Sequence, residues 1–243
     1  MTQSTGTLTI DVRPQNDHRL GRQMVHDERS RAFVAPRAPI DRGSWHDKAI
    51  RLYDPTPNPN QTIGNCTGCA KSMQLNATGN RVTGRVLRMS DAERIYSVAT
   101  GLDPWEGTWP PTDTGSSGLA SAKAAQQLGL AGEYVWEFEG IDGVVQNIME
   151  GRAMSLGTWW YYGMFDATGG VFNGLPVVRP TGGQAGGHQW VARGYDADRD
   201  RILGRCWWGT GPASEVHQDF WIARSDAGDL LADGGDAHWQ KSV

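Results

Sequence analysis

"NQTIGNCTGCA" (residues 60–70) sets Cys66 and Cys69 three apart, immediately after "YDPTPNPNQ" (53–61), which holds three prolines in nine residues. Proline fixes φ and removes a backbone donor, so this lead-in is stiff and non-helical up to the cysteines. Beyond it the pattern turns helical. Cys66, Cys69, Ala70, Met73 and Ala77 fall at i, i+3, i+4, i+7 and i+11, one stripe of a helix. Asn65 stands at the N-cap position and Gly79 at a stop. Cys66 therefore opens a helix, where the dipole and the unpaired N–H groups favour a thiolate. Cys69 lies a turn deeper on the apolar stripe, where cysteine behaves as a small hydrophobe. This placement predicts a reactive Cys66 with a lowered pKa and an inert Cys69.

Two other uses of a CxxC pair compete with the nucleophile reading. A structural zinc needs four ligands, usually as two close pairs. The third cysteine, Cys206, and a histidine such as His188 lie far down the chain. A thioredoxin-type redox pair follows a strand in a βαβ unit, whereas this one follows a proline-rich loop. No metal and no cofactor are expected.

The chain has 243 residues, 11 tryptophans and three cysteines, and its 23 basic and 27 acidic side chains leave a net charge of −4. That balance lacks the concentrated positive field that nucleic acid or an anionic membrane requires. No stretch approaches the roughly 20 apolar residues that span a bilayer. The polar start, MTQSTGTLTIDVRPQNDHR, lacks the order of a secretory signal, and three cysteines suit a reducing compartment. The expected location is a reducing compartment such as the cytoplasm.

Residues 1–45 are polar and without periodicity, and are read as an extended arm on a domain spanning 46–243. The arm's role, as propeptide, docking arm or tail, stays open. A second helix is predicted from Ser90, because "SDAE" has the capping-box form. A third begins near Ser116 or Ser117 and runs through "GLASAKAAQQ" to Gly129. A fourth, "DGVVQNIMEG", puts Val144, Val145, Ile148 and Met149 on one face. After residue 151, "AMSLGTWWYY", "HQWVARGY", "RILGRCWW" and "DFWIAR" read as strands, with "DADRD" (196–200) as a hairpin loop. Helices followed by strands predict an α+β fold.

A nucleophile needs a base. In "GGQAGGHQWVARGYD" (182–196) glycines lead into His188 at a strand start and leave its ring approachable. A neutral imidazole beside a thiol can take its proton.

The order of these pieces resembles papain-like cysteine peptidases. "IGNCTGCA" is similar to the family's Gly-Ser-Cys-x-Gly-x-Ala, and "GGHQWVARGYD" to its Gly-Gly-His strand. "CWWGTG" followed by "DFWIA" is similar to Asn-Ser-Trp-Gly-Thr and the strand after it. "DTGSSGLASAKAAQQLG" and "GVVQNIMEGRAMSLGTWWYYGMF" resemble the elements between. The likeness covers roughly residues 50–232, and its wording is closest to papain-like proteins of actinobacterial phages.

The resemblance implies two lobes, a helical one carrying Cys66 and an antiparallel β lobe carrying His188, with a peptide or protein substrate between them. Cys66 attacks a peptide carbonyl, His188 shuttles the proton, and the oxyanion meets the Cys66 N–H and a side-chain amide from Gln61 or Asn60. Gly115, Ser116, Ser117, Trp207 and Trp208 are candidates to line the cleft. One departure matters: Cys206 stands where the family carries the asparagine that orients the histidine, and a thiol is a weak hydrogen-bond partner. The expected function is a bacteriophage cysteine peptidase acting on protein or cell-wall peptide. The alternative is a papain-like fold with little activity, used as a virion structural protein.

Overall fold

A computed structural model of the protein describes residues 17, 19–25, 27–34, 39–57, 61–81, 84–166, 168–208 and 219–243. Asn60, His18, His26 and the "GTG" after Trp208 lie outside them. Element order is β1 (Ala49–Arg51), α1 (Cys66–Asn76), α2 (Met89–Thr100), α3 (Gly118–Gln127), β2 (Ala131–Glu137), α4 (Gly140–Met149), β3 (Met154–Tyr161), α5 (Tyr162–Phe165), β4 (Val171–Phe172), β5 (Leu175–Val178), β6 (Gln184–Asp196), β7 (Arg201–Arg205), β8 (Asp219–Ala223), α6 (Arg224–Ala232) and β9 (Asp236–Ser242).

Helix α1 begins at Cys66, after the proline-rich lead-in. The sequence shows one apolar stripe, yet α1 is buried around its whole circumference, Thr67, Lys71, Ser72 and Gln74 included. Gly68 permits this on one side: a Cβ there would lie 2.2 Å from the Ala92 carbonyl oxygen, so α1 and α2 meet backbone to backbone. Helix α3 starts where expected, with the Ser117 hydroxyl accepting the Ala120 N–H at 3.1 Å. Helix α2 starts earlier than its capping-box pattern predicted. Met89 is its first residue, and Asp91, not Glu93, turns back to accept the Arg88 N–H at 2.8 Å.

The strands form a nine-stranded sheet in the order β2-β9-β3-β6-β7-β8-β5-β4, with β1 paired to β6. The expected run of helices before strands is interrupted by β1 and β2, and β5 pairs parallel to β8 in an otherwise antiparallel sheet. The hairpin at 196–200 joins β6 to β7 as the turn signals predict. Strand β9 gave no strand signal, because the residues it turns inward are Asp236, His238 and Gln240, all buried. Trp160, Trp190, Trp208, Phe165 and Phe220 fill the core against β6. The arm adds to that core: Leu20 and Trp45 are 3% and 4% exposed. Isolated apolar residues in a polar stretch carry no periodicity by which to find them.

No helix among the described residues is long and apolar enough to cross a membrane.

Candidate active site

The N-terminus of α1 meets β6 at the junction of helices and sheet. Cys66 lies at that end of α1 and His188 on β6, where Thr158 of β3 is its register partner. Both are fully buried. The backbone of Gln189, next to His188, lies close enough to the Cys66 thiol to favour its anion. His188 Nε2 is 3.2 Å from Cys206 Sγ. Cys206 thus stands against the histidine. Trp208 stacks on His188 with ring centroids 4.3 Å apart, and Trp160 meets it edge-on at 5.1 Å. Among the described residues, His188 Nδ1 has no hydrogen-bond partner.

The other predicted positions divide into cleft and scaffold. Gln61 is buried five residues before Cys66, its N–H bonded to the Trp207 carbonyl at 3.1 Å and its Nε2 to the Ile63 carbonyl at 3.2 Å. Gly115 and Ser116 lie against Gly21 and Gln23 of the arm. Ser117 is occupied in capping α3, and Trp207 packs with Leu52, Cys69, Met73 and Val191. Cys69 is buried on the apolar stripe, as expected. The three cysteines are free. Among the described residues no group of three or more His, Cys, Asp or Glu is placed to hold a metal ion.

Sequence reasoning missed the residues that fix this geometry. Asp113 accepts the Gly64 N–H at 2.7 Å and the Tyr96 hydroxyl, and that hydroxyl accepts the Gly115 N–H at 2.9 Å. The loop before Cys66 is thereby tied to the loop at Gly115. Neither residue lies in a recognisable motif, and only the folded chain brings them together.

Between Gly187 and Ser116 runs the chain's own arm. Gly21 and Arg22 donate to the Gly187 carbonyl at 3.1 and 3.0 Å; Gln23 donates to the Ser116 carbonyl, and Ser116 to Gly21, both at 2.9 Å. Arg22 and Ser116 form a parallel bridge. A Cβ on Gly187 would lie 1.9 Å from the Arg22 carbonyl oxygen, and one on Gly21 1.9 Å from that of Gly64, so only glycines admit this approach. The Trp208 Nε1–H reaches the Arg19 carbonyl at 3.3 Å, and Arg19 lies over Phe165.

Similar solved structures share this architecture. Xylellain, a cysteine protease from Xylella fastidiosa, matches with a TM-score of 0.66 at 15% identity over 98% of this chain and all of its own. The fold is papain-like. Procathepsin B S9 from Trypanosoma congolense follows at TM-score 0.58 and 9% identity, covering 93% of this chain and 87% of its own. Procathepsin L 3 from the Tenebrio molitor larval midgut gives 0.59 and 10%, covering 92% and 76%. No family model and no curated protein matches the sequence. At such identities the papain-like architecture is what the likeness carries.

Within that architecture the charge state differs from the expectation of a lowered Cys66 pKa. Burial pushes the Cys66 thiol up to about 12, against the Gln189 and Gly21 backbone contacts that favour the anion. Burial also pushes His188 down to about 3, with the Arg19 backbone acting in the opposite direction. Burial outweighs the helix terminus, so Cys66 is held as the thiol and His188 as the neutral imidazole.

This gives a pH window. As pH falls through 6.5, the ordinary His188 value, the unfolded chain takes up a proton that the folded site refuses down to about 3, so stability declines. As pH rises through 9.0, the unfolded Cys66 loses a proton that the folded site keeps up to about 12, so stability declines again. Thermal unfolding of the full chain should be most resistant between the two, and His188→Gln should flatten the acid limb. An acid limb unchanged by that substitution would contradict the assignment to His188.

Proposed function

We propose that the chain is a cysteine peptidase of papain-like type, described here with its own arm across the cleft. The observation that carries the reading is the arm itself: an extended peptide backbone hydrogen-bonded to Gly187 on one wall and Ser116 on the other, passing the Cys66 thiol. A cleft that holds one peptide backbone in this way is built to hold another.

With the arm displaced, water lifts the desolvation that separates the two groups. Cys66 gives its proton to His188 Nδ1, and the thiolate attacks the substrate carbonyl carbon. The carbonyl π pair moves to oxygen, where the Cys66 N–H and the Gln61 amide meet it. On collapse the C–N bond breaks, the amine leaves with the proton from His188, and an acyl thioester remains on Cys66. Water, deprotonated by His188, hydrolyses it. Cys206 would hold the ring from behind, and Trp208 would shield it.

A second reading, a virion structural protein with a vestigial site, is favoured by Cys206 itself, since a thiol holds the ring weakly. The phage origin behind that reading rests on the wording of the sequence motifs. The two are separated by a peptidyl epoxide, which needs an activated thiol and a peptide-binding cleft, compared with iodoacetamide, which needs exposure only. The peptidase reading expects one epoxide adduct per chain, mapped by mass to Cys66 and absent from His188→Ala. Equal labelling with and without His188 would favour the structural protein.

A further inference from the structure

Where the arm crosses the cleft, the side chain of Arg22 turns away from solvent into the body of the protein. It is 2% exposed, and its Nη2 lies 2.6 Å from Oδ2 of Asp236, itself 3% exposed, at the start of β9. Its Nη1 donates to the Gln23 carbonyl. The recess has room because two residues lack side chains. A Cβ on Gly157 would fall 2.3 Å from Arg22 Nε, 2.6 Å from Asp236 Oδ1 and 2.8 Å from Gln189 Oε1. A Cβ on Gly118 would fall 2.8 Å from His238 Cε1 and 3.5 Å from Asp236 Oδ2. Neither glycine has positive φ, so the backbone does not demand glycine at either position; the space does.

We propose that this recess is a guanidinium-specific side-chain site of the cleft, with Asp236 as its specificity-determining residue, and that it selects peptide substrates carrying arginine where Arg22 now sits. The proposal rests on the peptidase reading above and names its substrate class.

Three features favour a substrate site over a structural ion pair. The walls, Gly118, Gly157, Gln189 and Asp236, belong to the folded domain, whereas the cation arrives on a strand held to the cleft by main-chain bonds. In such complexes the backbone bonds hold the peptide and pockets read its side chains. Among the described residues, Asp236 Oδ1 and Gln189 Oε1 have no hydrogen-bond partner, nor has Arg22 Nε, and all three converge on the point that a Gly157 Cβ would occupy. Two acceptors facing an N–H edge fit a planar fork of donors and do not fit an aliphatic side chain. Finally, the other basic groups near Asp236 cannot replace the guanidinium. Burial pushes both Lys71 and His238 well below their ordinary ranges, while arginine keeps its charge when buried. A leucine in the recess would leave a buried carboxylate unpaired, and sites built around a polar partner reject analogues that lack it.

The test uses the full chain carrying Arg22→Ala, which empties the recess, with Arg22→Gln as a second variant should the first fail to fold. Nα-acetylarginine amide should raise its thermal midpoint, while the neutral, near-isosteric Nα-acetylcitrulline amide should not; adding Asp236→Asn should abolish the difference. An epoxide peptide bearing arginine should label Cys66 about 10²-fold faster than its leucine counterpart, and Asp236→Asn should erase that ratio. Equal response to arginine and citrulline together with equal labelling by the two epoxides would overturn the proposal. Arginine-specific stabilisation with no epoxide labelling would retain the guanidinium site and sink the peptidase reading instead.

Discussion

Arg22→Ala should raise the rate at which a peptidyl epoxide labels Cys66 by at least about 10²-fold over the native chain. The native thiol is 0% exposed beneath Gly21, and the dyad is held uncharged by burial. Removing one partner of a buried ion pair costs about 3–5 kcal/mol, because the remaining charge is stranded. Asp236 escapes that cost once the arm lifts and water enters, so the destabilisation falls on the closed arrangement rather than on the fold. At about 1.4 kcal/mol per tenfold, the open population rises by two orders of magnitude or more. Cooperative unfolding should be retained, and the thermal midpoint then separates opening from global collapse. A labelling rate unchanged in a folded Arg22→Ala chain would show that the arm does not control access.

In the opened background, Cys206→Asn should increase kcat/KM on peptide substrates by about tenfold, within the 10²–10⁴-fold that a well-held general base supplies. The reason lies in the tautomer. Burial pushes the Cys206 thiol well above its ordinary range, so it is neutral, and a neutral thiol can either donate to His188 Nε2 or weakly accept from it. Donation places the imidazole proton on Nδ1, the atom that accepts from Cys66 in the proposed mechanism. An amide oxygen accepts only, holding the proton on Nε2 and leaving Nδ1 free. The larger side chain must fit beside Trp207 and Trp208, which limits the gain. Cys206→Ala removes both options and should fall below the asparagine variant. If the native chain outperforms both substitutions, Cys206 has a catalytic part of its own.

Much of this site was legible in the sequence because its signals are local. The proline-rich lead-in and the cysteine stripe give the start of α1, and glycines before a histidine mark the opened wall at Gly186 and Gly187. Their order along the chain gives the fold. What stayed hidden depends on long-range pairing. Asp236 lies 214 residues from Arg22, in a strand whose inward face is polar and so inverts the usual pattern. Asp113 and Tyr96 act by joining loops that no spacing connects. The Cys66 pKa differs for a related reason: the helix terminus can be read locally, but burial within the fold cannot, and burial dominates.

The central claim is that Cys66 and His188 form a peptide-cleaving pair once the arm is displaced. It is tested most directly by measuring kcat/KM for arginine-containing peptides with the full-length Arg22→Ala chain, beside the same chain carrying Cys66→Ala or His188→Ala. The account predicts cleavage by the first and loss of about 10²-fold or more in each of the others. Cleavage that persists without Cys66, or a folded, opened chain whose Cys66 is accessible and which cleaves nothing, would contradict it.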